Sequence, residues 1–423
     1  MSDYLIKNLK FNSIVNVIDG SFFGAALGFA SFVTVIPLFV SGFTESAILI
    51  GLIPAIHAVG WQLPQLLTAE RVSRLSRIKP MVLWMTIHER VPFLGLGILA
   101  WFSPSLNNKL ILLLTFVLLV WQGFGGGLTA TAWQSLVAKI MPMRFLGTFY
   151  GIQSAAGNLL ASIAAVLSGL ILERNEYPGN FAVCFLLAGG CMLISQLFLG
   201  LTREKPLHFD HLPNARDSFW KRLSGILRRD RNFRWFIVAR MATQFSFVGF
   251  AFYTVYAVKE FQIPVFLIGI LTGLLLASQV TSNPFMGWLG DRSGHLRAFQ
   301  LGVVSAAAST FLAWLADGPG WFYPIFLLAG IANAAGWTIP MAMTVQFGQE
   351  EDRPAYIGLA NTLIAPVTFI APILGGLLAD IAGYPATFMA SSIAGMLTLV
   401  LLVAIVQDPR KNPAVQPVKM TTD

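Results

Sequence analysis

Twelve stretches of this 423-residue sequence are long enough and apolar enough to cross a lipid bilayer. Helices are the expected spanning element, because backbone amides in lipid must find hydrogen-bond partners within their own segment, and about 20 residues of helix cover the hydrocarbon layer. The composition, 56% hydrophobic and 11% charged, leaves no room for a sizeable soluble domain. The sequence therefore predicts an all-α membrane protein with twelve transmembrane helices, over residues 13–40, 46–69, 81–102, 109–140, 147–172, 179–201, 233–258, 264–288, 298–316, 321–347, 355–379 and 383–407.

Basic residues are concentrated in alternate loops. If both termini are cytoplasmic, 23 of the 28 lysines and arginines lie on the inner side, and the outer loops hold only Lys109, Arg174 and Lys259. Such a bias orients membrane proteins with the basic loops in the cytoplasm, so both termini are predicted to be cytoplasmic. Attraction to anionic membrane lipids then explains the net charge of +8 without nucleic acid.

The second half of the chain repeats the first, as in many transporter folds. A shift of 221 residues places Asp19 on Arg240, and a shift of 207 places Gly151 on Gly358. Apolar residues at helical spacing opposite basic ones predict a helix at the cytoplasmic surface over residues 218–229. The predicted domains are an N-terminal six-helix bundle (1–201), a cytoplasmic linker with this interfacial helix (202–232), a C-terminal six-helix bundle (233–408) and a cytoplasmic tail (409–423).

The loop between predicted helices 8 and 9 carries a family motif. Residues 287–297 read GWLGDRSGHLR, which resembles the G-x-x-x-D-[RK]-x-G-[RK]-x-[RK] signature of the major facilitator superfamily. The helix count, the repeat and the basic central loop fit the same family, so the resemblance covers the whole chain. It implies two pseudo-symmetric six-helix bundles that rock about a central site and expose it alternately to each side of the membrane. It does not supply a substrate.

Two departures from the family pattern bear on the transport mode. In the first-half loop, Leu66 replaces the first glycine and the loop is about two residues longer, as counted against the motif. Leu119 stands where proton-driven drug exporters of this superfamily carry arginine before Gln122-Gly123. These departures count against a standard drug–proton antiporter without excluding export.

The motif loop predicts a cytoplasmic gate. Asp291 is expected to accept hydrogen bonds from backbone amides at the start of helix 11, and Arg292 and Arg297 are expected to bridge to neighbouring helices. Glu70 and Arg71 are the first-half counterparts. Alternatively, these residues only set the orientation in the membrane.

Few ionisable residues lie at membrane depth, where an uncompensated charge costs at least ~2.5 kcal/mol. Glu89 is interpreted either as part of a neutralised cluster with Arg90 and His88 or as a protonatable coupling site. Asp19 and Arg240 are predicted to form an ion pair between the bundles when the cytoplasmic side is closed; alternatively, each is neutralised within its own bundle. The candidates are Asp19, His57, His88, Glu89, Arg90 and Arg240.

Neutral polar and aromatic side chains at mid-span predict a cavity that binds an organic solute by hydrogen bonds and stacking. Each of them alternatively serves only to join helices. They are Gln122, Gln153 and Asn158 in the first half and Gln244, Asn333, Trp337 and Asn361 in the second.

Other classes of function have little support in the sequence. The glycines at 123–127 lack the Lys-Ser/Thr of a nucleotide site, and no catalytic or metal-ligand spacing is present; His208 and His211 are interpreted as a solvated loop. The prediction is a secondary transporter of a small organic solute in the cell (inner) membrane, with proton-coupled export preferred and no cofactor or metal. Uptake, uniport, or a non-transporting relative acting as receptor or lipid-handling protein are the alternatives.

Overall fold

The computed structural model describes residues 3–206 and 219–411. His208, His211 and the last twelve residues of the predicted tail therefore lie outside the described residues. The chain divides into two compact units. The first comprises Met1–Pro142, Ile152–Phe209 and Asn361–Phe369, and the second comprises Met143–Gly151, Asp210–Ala360 and Ile370–Asp423.

The described residues are helical along almost their whole length. The first half of the chain contains α1 (Asp3–Phe29), α2 (Val35–Ser41), α3 (Ala47–Gln62), α4 (Gln65–Ser73), α5 (Lys79–Phe102), α6 (Asn108–Ile140), α7 (Leu146–Arg174) and α8 (Gly179–Gly200). The second half contains α9 (Phe219–Arg229), α10 (Arg231–Phe247), α11 (Tyr253–Phe261), α12 (Val265–Ser293), α13 (His295–Leu315), α14 (Phe322–Thr344) and α15 (Arg353–Ala404).

These helices make up the twelve predicted spans. Eight helical stretches among the described residues are long and apolar enough to cross a membrane by length and composition. The longest, α15, contains a non-helical residue at Gly383 (φ 84°, ψ 167°) and so comprises two spans. The remaining three spans are α12, which is a single helix, and two spans that each consist of two shorter helices, α1 with α2 and α3 with α4. The predicted all-α fold with twelve spans is confirmed.

Large apolar side chains lie on the outside of the helices. Leu197 is 69% exposed and Val166 is 66% exposed in the first half, and Ile381 is 76% exposed in the second. Water would penalise this exposure, whereas lipid tails do not, because hydrocarbon solvates these side chains as well as a protein core does. The distribution is that of a multi-pass membrane protein.

In the first unit, α1 lies directly on α7 along a line of glycines. A Cβ added at Gly24 would stand 2.2 Å from the carbonyl oxygen of Gly157, and one at Gly28 would stand 2.2 Å from that of Ala161. Gly20 makes room for the side chain of Gln153 in the same way. Small residues therefore allow the two backbones to touch, which is a common basis of helix association in lipid.

The glycine cluster of α6 has the same role. A Cβ at Gly123 would stand 3.0 Å from the carbonyl oxygen of Ile56 on α3, and one at Gly125 would stand 2.4 Å from the backbone of His88 on α5. The cluster thus allows α3 and α5 to approach α6 closely.

The predicted linker helix is present as α9. Leu223 and Ile226 are buried, and Arg228 and Arg229 are exposed, as the amphipathic pattern requires. Its position at the membrane surface stays a prediction.

Substitution of the α1 glycines provides a test of this packing. Gly24→Ala should lower stability by about 1–3 kcal/mol, because the added methyl group meets backbone rather than a movable side chain. Thermal unfolding of the purified protein in detergent measures the effect. Gly190→Ala in α8 is the matched control, since nothing lies within 4 Å of the added Cβ. Equal unfolding midpoints for the two variants would contradict the packing.

Candidate functional site

A buried ion pair joins α1 to α5 in the first unit. The Arg90 guanidinium donates to Asp19 Oδ1 at 3.2 Å, and both side chains are 6% exposed. Ser195 on α8 donates to the same oxygen at 2.5 Å, and Arg90 also donates to Ser195 Oγ at 2.8 Å. Asp19, Arg90 and Ser195 thus form a closed triangle of charge-assisted hydrogen bonds.

Gln196 extends this cluster toward the start of α5. Its side-chain oxygen accepts hydrogen bonds from Arg90 and from Thr86, the latter at 2.8 Å. Its amide nitrogen donates to the Leu83 carbonyl at 2.9 Å. Because α8 packs against both α1 and α5, Ser195 and Gln196 are held where they complete the shell of the ion pair.

Glu89 makes no hydrogen bond to this cluster, although the charges of Arg90 and Asp19 act on it. It is 5% exposed, and its carboxylate oxygen would stand 2.7 Å from a Cβ at Gly126 on α6, close to the ring of Trp61. Among the described residues, none forms a hydrogen bond or an ion pair within 4 Å with this carboxylate. Glu89 is therefore a buried acid on which Arg90 and Asp19 act electrostatically without a direct contact.

His88 does not join the predicted cluster with Glu89 and Arg90, although the charge of Arg90 does act on Glu89. Arg90 pairs with Asp19, and His88 instead accepts a hydrogen bond from Trp121 at 3.3 Å. The reason is geometric, because consecutive residues of an α-helix point about 100° apart and cannot share one face. Asp19 thus has its counter-charge within its own unit, which was the alternative interpretation of the sequence. Its pairing with Arg240 stays a prediction.

His57 on α3 contacts Gln122 on α6. Gln122 lies one helical turn before Gly126, the residue of α6 next to Glu89. The His57 ring nitrogen Nδ1 lies 3.1 Å from Gln122 Oε1, and its ring stacks on Phe32 with centroids 4.0 Å apart. Gln122 is 2% exposed, and its amide nitrogen is buried without a hydrogen-bond partner. An amide donor of this kind is available to a ligand.

Two of the other predicted polar residues of the first unit join helices. Gln153 donates to the Asn16 carbonyl at 2.7 Å, and Asn361 donates to Gln65 Oε1 at 2.8 Å. Both are buried, so their positions support the alternative that they serve packing. Asn158 on α7 is half-buried.

In the second unit, the predicted residues are spread over α10 and α14. Gln244, Asn333 and Arg240 are half-buried, and Trp337 is 52% exposed. The Arg240 guanidinium lies 5.8 Å from the centre of the Phe236 ring. A polar contact that the sequence did not reveal lies nearby in chain order, where Thr338 donates to Asn283 Oδ1 at 2.6 Å.

A cavity of about 840 Å³ is present in the second unit, away from these residues. Its lining includes Asp230, Trp235, Tyr356 and Gln407. None of the residues predicted to contact a solute borders it, so it is distinct from the predicted central site.

At the end of α12, Asp291 caps the first turn of α7. Its Oδ1 accepts from the Gly147 amide at 2.9 Å, and its Oδ2 accepts from the Thr148 amide at 2.6 Å. These amides lack partners within the helix, and the helix dipole favours an anion there. The predicted contact with the start of helix 11 is wrong; the helix capped is the fifth span. The fit is possible because Gly287 has no side chain, since a Cβ there would stand 2.1 Å from the Gly147 carbonyl oxygen.

The remaining residues of the motif and of its first-half counterpart are exposed or make contacts only within their own helix. Arg292 is exposed and lies over the ring of Trp288 on its own helix, at 5.4 Å. Arg297 and Arg71 are exposed, and Glu70 pairs with Arg74 one turn away at 2.5 Å on an open surface. Exposed pairs of this kind contribute little to stability.

Sequence reasoning missed His295, which stands at a basic position of the motif. It is fully buried, with Nε2 3.4 Å from Asp291 Oδ1 and Nδ1 3.0 Å from the Gln346 side chain. The departure from the motif at this position was the available signal.

Removing one partner of the buried ion pair should be more damaging than removing both. Arg90→Gln leaves Asp19 without its counter-charge and should destabilise the protein by about 3–5 kcal/mol. The double variant Asp19→Asn/Arg90→Gln should recover part of this loss in thermal unfolding, and Arg174→Gln, at an exposed position, is the control. Losses that simply add in the double variant would contradict the pairing.

Comparison with known proteins agrees with this architecture. The Major Facilitator Superfamily profile matches residues 20–258 and 239–421. The vesicular acetylcholine transporter unc-17 of Caenorhabditis elegans is 28% identical over 145 residues, which are 33% of this chain and 27% of that protein. The class H tetracycline resistance protein of Pasteurella multocida is 27% identical over 146 residues, which are 34% of this chain and 36% of that protein. The alignments therefore span about a third or less of these relatives.

Solved structures resemble the chain over nearly its whole length. A variant of the Escherichia coli fucose:proton symporter superposes with a TM-score of 0.75 at 16% identity, covering 92% of this chain and 97% of that one. The human organic anion transporter TETRAN superposes with a TM-score of 0.71 at 14% identity, covering 93% and 99%. At such identities the similarity shows the fold alone. Because the family profile covers well over half of the sequence and agrees with the spans, the repeat and the motif at 287–297, this chain belongs to the Major Facilitator Superfamily of secondary transporters.

Proposed function

We propose that this protein exports a small organic solute from the cytoplasm in exchange for protons. The observation that carries the proposal is Glu89, a buried carboxylate in a membrane-spanning helix that lies within electrostatic reach of Arg90 and Asp19 but makes no ion pair with a described residue. Because an unmatched charge at this depth is costly, such a group is suited to alternate between a proton-bound form and a form compensated by another charge. Asp19 is less suited to that role, since Arg90 and Ser195 already stabilise its charge.

The solute would bind beside Glu89. His57, Phe32 and the unpartnered amide of Gln122 offer a stacking surface and a hydrogen-bond donor one turn away along α6. Trp337, Gln244 and Asn333 are the second-half residues proposed to contact the solute. Similarity to a tetracycline resistance protein and to vesicular acetylcholine transporters supports an organic solute of modest size.

Asp291 is proposed to hold the cytoplasmic side closed. Its carboxylate binds the first turn of α7, where Gly147 and Thr148 belong to the same unit as Asp291, whereas α7 belongs to the other unit from Ile152 onward. Release of two charge-assisted hydrogen bonds would then accompany opening. We also propose that both termini lie in the cytoplasm and that the protein lies in the inner membrane, with anionic lipids at its basic loops. Reporter fusions at Asp423 and within residues 173–180 measure the orientation.

Substitution of Glu89 tests the proposed proton coupling. Proteoliposomes with a pH-sensitive dye inside should report proton movement when tetracycline or acetylcholine is added, and Glu89→Gln should reduce that movement at least tenfold, because the amide cannot exchange a proton. Glu89→Asp should retain part of the flux, and Glu173→Gln, at an exposed carboxylate, should leave it unchanged. Solute flux that persists in Glu89→Gln with unaltered proton movement would refute the coupling role, and flux without any proton movement would favour uniport.

The gate proposal predicts a local change at the first turn of α7. Asp291→Asn should speed amide hydrogen exchange at Gly147 and Thr148 and should raise the reactivity, from the cytoplasmic side, of a cysteine introduced in this turn. Solute flux should fall while expression stays near normal. Glu350→Gln, at an exposed carboxylate of the same unit, is the control. Unchanged exchange and unchanged flux would reduce Asp291 to a residue that only sets orientation.

A further inference from the structure

The segment that follows α15 lies against the end of α12. Residues 407–411, here called the C-terminal strap, begin with Gln407, whose backbone exchanges two hydrogen bonds of 2.8 Å with the Asn232 side chain at the start of α10. The strap is thereby fixed at its first residue. Residues 409–411 of the strap belong to the cytoplasmic tail predicted from the sequence.

Arg410 of the strap caps the C-terminus of α12. Its guanidinium donates to the carbonyl oxygen of Asp291 at 2.9 Å and to that of Gly290 at 3.0 Å. These carbonyls belong to the last turn of α12, where the helix dipole favours a cation, and that of Gly290 also accepts from the Gly294 amide at 3.0 Å. Two nitrogens of one planar guanidinium thus hold two consecutive peptide groups.

Asp408 orients that guanidinium. Its Oδ1 accepts from the Arg410 amide at 3.1 Å and from Nε at 3.4 Å, and its Oδ2 lies 3.5 Å from a terminal nitrogen. Gly294 makes the approach possible, because a Cβ there would stand 2.2 Å from Asp408 Oδ2 and 3.1 Å from the Arg410 guanidinium. With φ at +111°, this residue also has a backbone conformation that favours glycine.

The strap and the gate meet at one residue. Arg410 holds the backbone carbonyl of Asp291, and the side chain of Asp291 holds the amides of Gly147 and Thr148. Fixing the peptide limits how far the carboxylate can move away from those amides.

We propose that Arg410 is a positioning residue for the gate, and that the strap sets how firmly Asp291 holds the first turn of α7. The inference rests on the proposed role of Asp291 in cytoplasmic closure. It adds that closure depends on a segment outside the membrane spans, which acts through a backbone carbonyl and not through the motif side chains.

Hydrogen exchange at Gly147 and Thr148 in the full-length protein tests this directly. Arg410→Gln should speed exchange there by about tenfold, the change expected when roughly 1.4 kcal/mol of local stabilisation is lost. Arg410→Lys should have a smaller effect, because lysine keeps the charge but cannot hold both carbonyls in a planar fork. Gly294→Ala, which keeps Arg410 but crowds Asp408 and the guanidinium, should have the same effect as Arg410→Gln. Arg228→Gln, at an exposed position on α9, is the charge-matched control.

A double variant separates the two proposals. In Asp291→Asn, the additional change Arg410→Gln should have no further effect on the exchange of Gly147 and Thr148, because Arg410 acts through Asp291. If the two changes have additive effects on this exchange, the role of the strap is overturned and the gate stays intact. The same holds if Asp291→Asn speeds the exchange and Arg410→Gln does not. No effect of either variant on exchange would overturn the gate itself. Exchange across α5 serves as the reference, since faster exchange there would indicate general unfolding and not loss of positioning.

Discussion

Direct contact between helix backbones is the interaction on which this structure depends. In lipid, helices gain little from burying apolar side chains against one another, so association relies on close approach and on the polar contacts that approach permits. The glycines of α1 bring that helix onto α7, and those of α6 bring α3 and α5 onto α6. Gly287 brings the end of α12 onto the first turn of α7. Glu89 lies against Gly126 of α6, and Asp291 lies against Gly147 of α7.

The charged residues divide according to how they are compensated. Asp19 and Arg90 satisfy each other with the help of Ser195, and Asp291 is satisfied by two backbone amides. Glu89 makes no direct ion pair with a described residue, although the charge of Arg90, the next residue, acts on it. In a family whose members move solutes by changing conformation, the satisfied groups suit the closing of contacts, and the unsatisfied acid suits exchange with a proton.

The sequence was informative where the signal is local. Hydropathy located all twelve spans, since lipid imposes their length, and the motif at 287–297 identified Asp291 as a capping residue. The partners of these residues were not predictable, because they are set by packing between distant segments: Ser195 is 176 positions from Asp19. The sequence predicted that Asp291 contacts span 11, whereas it contacts span 5. The two spans occupy equivalent positions in the repeat, as the match of Gly151 with Gly358 shows, so the sequence alone does not distinguish them. His88, Glu89 and Arg90 were grouped by adjacency, whereas the helix directs them to three sides.

The break at Gly383 has a mechanical consequence. One residue with φ at +84° is the only non-helical position between the two spans of α15. No loop separates the two spans, which are the arms of this hairpin. One arm therefore cannot shift far along the other without distorting the backbone at Gly383. The first arm carries Asn361, which is bonded to Gln65, and the second arm leads into Arg410. The two arms are joined through one glycine, and a residue with a side chain would adopt its positive φ only at a cost.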